Sequence, residues 1–191
     1  MMQEEIIVSG FGGQGTLFAG QVLALAAMDH GHQVTWIPSY GPEMRGGKAR
    51  CTTIISDETI GSPVVRRPSL AIVMNIPSME AFAEAVKPEG VLVVNSSLVP
   101  QRCEREDIRA LHIPATEVAT EMGEVRLANM ICLGALMQAR PVVTPAQILE
   151  ALEAHLPSRH RALLGLNRDA LERGAALASA ALSESSIGGP R

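Results

Sequence analysis

Apolar positions fall into short runs alternating with longer stretches of helical spacing. Ile6-Ile7-Val8, Leu70–Asn75 (LAIVMN) and Val91–Asn95 (VLVVN) have the look of strands buried on both faces of a parallel sheet. Gln33–Ile37 and Cys51–Ser56 read as further strands, Leu111-His112-Ile113 as a short last one, and Val64-Val65 as a short candidate within an irregular Ile60–Pro68. Between them, helical spacing predicts helices from Thr16 to about His30, over Met79–Val86 and over Ala115–Glu121. Three more follow: Arg126–Ala139, Thr144–His155 and about Ala162–Leu182. End signals agree, with Gly31 as a C-cap, Ser78 as an N-cap, and Thr144 followed by Pro145 at the next helix start. The Arg126–Ala139 helix is apolar almost all round, so it is buried by the fold or by another subunit. The alternation predicts an α/β, Rossmann-like doubly wound, mostly parallel sheet with a helical C-terminal portion. Residues 1–182 read as a single domain, and the polar tail 183–191 (SESSIGGPR) as disordered.

Two stretches break this pattern. The first strand runs into Gly10, Gly12, Gly13 and Gly15, with Gln14 among them, and then into a helix. Gly10, Gly12 and Gly15 satisfy G-x-G-x-x-G, and each has a possible use: a tight turn, close approach of a ligand, and close packing of helix on strand. The helix N-terminus behind them offers free N–H groups to an anion. A nicotinamide or flavin site also needs an acid at the end of the second strand, and no Asp or Glu lies between Gly31 and Pro42. The turn is therefore open to three readings: a connector without ligand, a seat for the anionic group of another ligand, or a contact to a partner's active site. The second stretch is Pro38–Lys48, whose prolines and glycines forbid a regular element. In a doubly wound sheet it leaves the carboxyl end of the second strand, so both loops should face one crevice. Ser39, Tyr40, Gly41, Glu43, Arg45, Gly46 and Gly47 are its candidate binding residues. Asn75 and Asn95, at strand ends, face the same crevice, where capping a loop is the commoner use of such an amide.

Composition narrows the classes. A chain of 191 residues with 47% hydrophobic and 19% charged residues is globular, and large enough to bury about 70% of its unfolded surface. A net charge of −4, no basic cluster longer than Arg66-Arg67, and 3% aromatics argue against a nucleic-acid partner. No apolar run approaches the roughly 18 residues of a membrane span. The acids in MMQEEIIVSG do not suit a signal peptide. Cys51, Cys103 and Cys132 are scattered, which offers no frame for zinc or an iron–sulfur cluster and suggests reduced thiols in the cytoplasm. His30 and His32 suit a helix C-terminus, and His112 a satisfied core position. His155 and His160 lie off one helical face. No nucleophile–base grouping, metalloprotease motif or Walker lysine pattern is present.

The residues do resemble a family. Gly10-Phe11-Gly12-Gly13-Gln14-Gly15 followed by Ser39-Tyr40-Gly41-Pro42-Glu43-Met44-Arg45-Gly46-Gly47 is similar to the gamma subunit of the 2-oxoacid:ferredoxin oxidoreductases. The likeness continues through Ser56-Asp57-Glu58, Ile60–Pro63, Asn75 with Pro77-Ser78, and Asn95-Ser96-Ser97. It extends to Asn129-Met130, Leu133-Gly134, Leu166-Asn167, Ala170 and Gly174, so it covers nearly all of residues 5–180. The Ser-Tyr-Gly-Pro-Glu form resembles the 2-oxoglutarate or branched-chain branch more than the pyruvate and indolepyruvate branches. The resemblance implies a cytoplasmic multi-subunit enzyme, inactive as this chain alone. It would convert a 2-oxoacid, coenzyme A and oxidised ferredoxin to acyl-CoA, carbon dioxide and reduced ferredoxin. It places thiamine diphosphate, magnesium and iron–sulfur clusters on alpha and beta partners, with a delta or ferredoxin-like subunit in some members. It also implies that the domain helps seat coenzyme A and close the active site, with Gly10–Gly15 approaching the pyrophosphate or the partner and Arg45 as the charged contact. Two alternatives stand beside it: a structural interaction subunit without ligand, and a freestanding nucleotide-binding oxidoreductase.

Overall fold

Strands β1 (Gln3–Phe11), β2 (Gln33–Tyr40), β3 (Lys48–Ser56), β4 (Leu70–Val73), β5 (Val91–Asn95) and β6 (Arg109–Ile113) form one sheet in the order β2-β3-β1-β4-β5-β6. It is seen in a computed structural model that describes residues 2–40, 47–156 and 162–187. β1, β4, β5 and β6 run parallel, and β4 and β5 are buried at every position because helices cover both faces. On one face α1 (Thr16–Asp29), α3 (Ala115–Glu121), α4 (Ala128–Ala139), α5 (Pro145–His155) and α6 (Leu164–Ile187) build the larger core, around Ile6, Val8, Leu23, Ile72, Met130 and Leu133. On the other, α2 (Ile76–Phe82) and the segment before β6 cover Val73, Leu92 and Val94. The fold is the expected α/β sandwich with a helical C-terminal portion.

The departure from simple double winding is β3. It runs antiparallel to both neighbours and lies between β1 and β2. β2 and β3 are thus a hairpin, and the chain between Tyr40 and Lys48 connects them. β2 also continues through Pro38, Ser39 and Tyr40, where the sequence pattern ends it at Ile37. A proline is tolerated here because β2 is an edge strand, so a residue without an N–H costs no ladder bond if it faces the open side.

The helices differ from expectation in detail. α2 starts at Ile76, three residues early, because Asn75 rather than Ser78 is its N-cap: the Asn75 Oδ1 accepts from the Ser78 N–H at 2.9 Å. Thr144 and Gln147 close a complete capping box on α5. Val64-Val65 forms no strand, and Val64 is exposed. α6 runs to Ile187, where the sequence pattern ends its last helix at about Leu182; residues 188–191 lie outside the described residues. α4 is buried by the fold itself, chiefly by α6. The two helices cross through reciprocal notches: a Cβ on Gly134 would strike the Leu171 carbonyl, and one on Gly174 the Ile131 carbonyl.

Candidate site at the carboxyl ends of the strands

The glycine turn is held from within. Gln14 folds back over it: its Oε1 accepts from the Phe11 N–H at 2.6 Å, and its Nε2 donates to the Met74 carbonyl at 3.1 Å. The side chain thereby ties β1's turn to the end of β4. Gly10 must be glycine because a Cβ there would lie 2.5 Å from the Gln14 Oε1 and 2.8 Å from the Met74 Cβ. Gly15 is the N-cap of α1 in the left-handed conformation, φ 72°, and Asn129 of α4 donates to its carbonyl at 2.9 Å. Gly13 is also left-handed, φ 98°, with open space around it. Gly12 has neither constraint.

The second loop meets the first. The Gly12 N–H donates to the Gly47 carbonyl at 3.0 Å. Tyr40, Ala49 and Gly10 stand in one row across β2, β3 and β1, so the ends of β1 and β2 are level. Tyr40 is 70% exposed and Ser39 is exposed beside it. Gly10, Gly12, Gly13, Gln14, Gly15, Ser39, Tyr40 and Gly47 thus gather at one end of the sheet, as the crevice argument requires. Gly41, Glu43, Arg45 and Gly46 lie outside the described residues. Asn95 is at the same end but fully buried, and Thr116 meets both ends of its amide: Nδ2 donates to Oγ1 at 2.8 Å, and Oδ1 accepts from the N–H at 3.3 Å. It fixes the start of α3. Asn75 likewise caps α2, while its buried Nδ2 has no partner.

Beside the glycine turn lies a cavity of about 270 Å³, lined by Gly13, Gly15, Phe18, Leu156, Asn129 and Asn167 among others. At its rim Arg126 bonds Glu124 through two guanidinium nitrogens and holds that carboxyl down at about 2, so the two charges cancel. Asn129 carries the turn's main tether, a role its residue type alone did not declare. The available signal is an asparagine at the start of an otherwise apolar helix, where a buried amide must be satisfied.

Among the described residues, no histidine or cysteine stands at the glycine turn as an acid, base or nucleophile. His112 sits half-buried in β6, its Nε2 accepting from the Cys103 N–H at 3.4 Å, and burial lowers its pKa; its ring is satisfied, as expected, though it is not part of the core. His30 lies 3.3 Å from Glu150, His32 3.2 Å from Asp57, and His155 2.9 Å from Asp29, all away from the glycine turn. Burial pushes the Cys51 thiol up to about 11 and Cys132 to about 12, so neither is a nucleophile near neutral pH. Among the described residues no three His, Cys, Asp or Glu side chains are grouped as metal ligands, and no helix is long and apolar enough to cross a membrane.

The described residues form an α/β domain with two glycine-bearing loops joined at the carboxyl ends of its strands. Comparison with known proteins gives this class its family. A family model described as pyruvate ferredoxin/flavodoxin oxidoreductase matches residues 5–177. The 2-oxoglutarate synthase subunit KorC of Methanothermobacter marburgensis is 36% identical over 163 residues, covering 82% of this chain and 88% of that protein. The ketoisovalerate oxidoreductase subunit VorA of the same organism is 42% identical over 130 residues. That match covers 68% of this chain but only 27% of VorA, so the chain spans about a quarter of that relative. Among solved structures, the gamma subunit of a keto/oxoacid ferredoxin oxidoreductase from Geobacter sulfurreducens PCA matches with a TM-score of 0.77 at 30% identity, over 93% of this chain and 99% of that one. The 2-oxoglutarate:ferredoxin oxidoreductase of Magnetococcus marinus, solved with 2-oxoglutarate, coenzyme A and succinyl-CoA bound, matches with a TM-score of 0.85 at 26% identity, over 94% of this chain and 32% of that one. The chain belongs to the pyruvate ferredoxin/flavodoxin oxidoreductase family.

Proposed function

We propose that this chain is the gamma subunit of a 2-oxoacid:ferredoxin oxidoreductase acting on 2-oxoglutarate or a branched-chain 2-oxoacid, and that its glycine loops help seat coenzyme A. The observation that carries the reading is the nearly end-to-end match to KorC. The bond between Gly12 and Gly47, which joins the two loops into one surface, supports the seat. Thiamine diphosphate, magnesium and iron–sulfur clusters belong to alpha and beta partners, where they supply decarboxylation and electron transfer to ferredoxin. This chain's part is positional. The open backbone at Gly13 and the N-terminus of α1, capped by no side chain, suit an anionic group such as a phosphate. Arg45 can hold a phosphate through two parallel hydrogen bonds.

The test is co-expression with the partner subunits and an assay of coenzyme A-dependent ferredoxin reduction with 2-oxoglutarate and with 2-oxoisovalerate. Activity is expected in the complex and none in the isolated chain; turnover by the chain alone overturns the reading. In the complex, Arg45→Ala is expected to raise the KM for coenzyme A by the equivalent of about 1.5–3 kcal/mol, the value of a charged hydrogen bond, with assembly intact. A weakened complex with unchanged coenzyme A dependence would instead assign Arg45 to a partner carboxylate.

A further inference from the structure

In a parallel ladder the bonds between two strands follow one another at even spacing. β1 and β4 keep that rhythm up to Met74, whose N–H donates to the Ser9 carbonyl at 2.9 Å. The next rung would run from the Phe11 N–H to the Met74 carbonyl. It is not made directly. The Gln14 amide stands between the two groups: Oε1 accepts from the Phe11 N–H at 2.6 Å, and Nε2 donates to the Met74 carbonyl at 3.1 Å. One side chain thus serves as an inserted peptide unit, and the last rung is widened by an amide.

The insertion falls at a particular place in the fold. α1, which follows β1, lies on one face of the sheet, and α2, which follows β4, on the other. The gap between β1 and β4 is therefore where the winding changes side, the position at which open α/β sheets take their ligands. Gln14 also closes the turn itself. Its N–H donates to the Phe11 carbonyl at 3.2 Å, so both backbone groups of Phe11 are bonded to residue 14. Gly12 and Gly13 are the corners between, with φ negative at the first and 98° at the second, the pattern of a type II turn. Two successive glycines leave a backbone free to take many shapes. Among the described residues no other side chain bonds the turn from Phe11 to Gln14. The N–H that Gly12 gives to Gly47 is thereby aimed by Gln14.

We infer that Gln14 is a positioning residue for coenzyme A: its amide props β1 and β4 apart by one unit and fixes the Gly12–Gly13 peptide, so that the ligand meets a backbone surface already in place. The inference rests on the reading above that the glycine loops seat coenzyme A. What Gln14 supplies is the fraction of molecules in the competent shape, and affinity falls in proportion to that fraction. An amide is the group the position needs, because it accepts at one end and donates at the other; an ionised carboxylate or a thioether cannot do both. Without it the Phe11 N–H and the Met74 carbonyl are free to meet directly. That keeps the ladder satisfied but draws the turn in towards β4.

The test uses the assembled complex. Gln14→Met keeps the length of the side chain and removes both bonds. Gln14→Asn keeps the amide but is one methylene too short to span the gap, and it decides the matter if the first variant fails to fold. Gly12→Ala, which crowds the seat and leaves the amide in place, is measured beside them. The KM for coenzyme A is expected to rise at least five-fold in both Gln14 variants, with the KM for the 2-oxoacid within two-fold of wild type and assembly intact. Hydrogen exchange at the Gly12 amide, measured before coenzyme A is added, is expected to be at least five-fold faster. A raised KM with unchanged exchange overturns the inference, because Gln14 would then touch the ligand itself. A lower kcat or weaker assembly with an unchanged KM for coenzyme A also overturns it, because the role would then be structural alone. If Gly12→Ala raises that KM and the Gln14 variants do not, the seat stands and the inference alone falls. If none of the three moves it, the reading of the seat falls as well.

Discussion

Gly10, Gly12, Gly13 and Gly15 look alike in the sequence and do different work. Gly10 is small because Gln14 lies over it, and Gly15 because its backbone is left-handed against Asn129. Gly12 is bound by neither reason, so its freedom from a side chain is not a requirement of folding. Gly15→Ala is therefore expected to lower the unfolding free energy by about 1–3 kcal/mol, the left-handed penalty plus displacement of the Asn129 amide. Gly12→Ala should stay within about 0.5 kcal/mol of wild type, as for an open surface position. Urea denaturation of the two variants measures both; an equal loss would mean that the turn is rigid throughout. If the seat for coenzyme A is where it is proposed, Gly12→Ala should instead show itself in the KM for coenzyme A. The sequence motif could pick out these glycines as a set. It could not sort them, because what sorts them comes from Met74 and Asn129, far away in the chain. The internal bonds of Gln14 to Phe11 and Met74 were not legible either, for the same reason.

The elements with strong apolar runs were legible: β4, β5, α3, α4 and α5 stand where their periodicity places them, to within a few residues. Ends were legible where a cap has one reading, as at Thr144, and not where two candidates compete, as at Asn75 and Ser78. The β2–β3 hairpin was missed because a run of Pro, Ser, Tyr, Gly and Pro reads as loop, while an edge strand tolerates what a central one does not. α4 and α6 cross at close quarters, backbone against backbone. Gly174→Ala would place a methyl on the Ile131 carbonyl and push the helices apart. It is expected to cost at least about 1–3 kcal/mol, as overpacking does, and a thermal melt should register it. Gly165→Ala, near the start of α6 with open space, serves as the comparison and should be neutral or stabilising.

For the molecule as a whole, the placing of β3 reaches further than its two ladders suggest. In the dinucleotide-binding arrangement the strand that follows the first helix lies next to β1, and its tip carries the acid that grips the ribose. Here that strand, β2, stands two places from β1, about 10 Å away at ordinary strand spacing. The missing acid is then more than one absent side chain: the post on which it would be mounted has been moved out of reach. Ser39→Asp restores the residue type at the tip of β2, and it is expected to leave NADH fluorescence unchanged at micromolar concentrations of chain and nucleotide. Affinity appearing in that variant would mean that reach across the hairpin is possible after all. The same displacement leaves a gap one strand wide between the old nucleotide positions, bridged by the joined Gly12 and Gly47 backbones. For the coenzyme A seat proposed above, the consequence is that the ligand would lie across the joined Gly12 and Gly47 backbones rather than between the tips of two neighbouring strands.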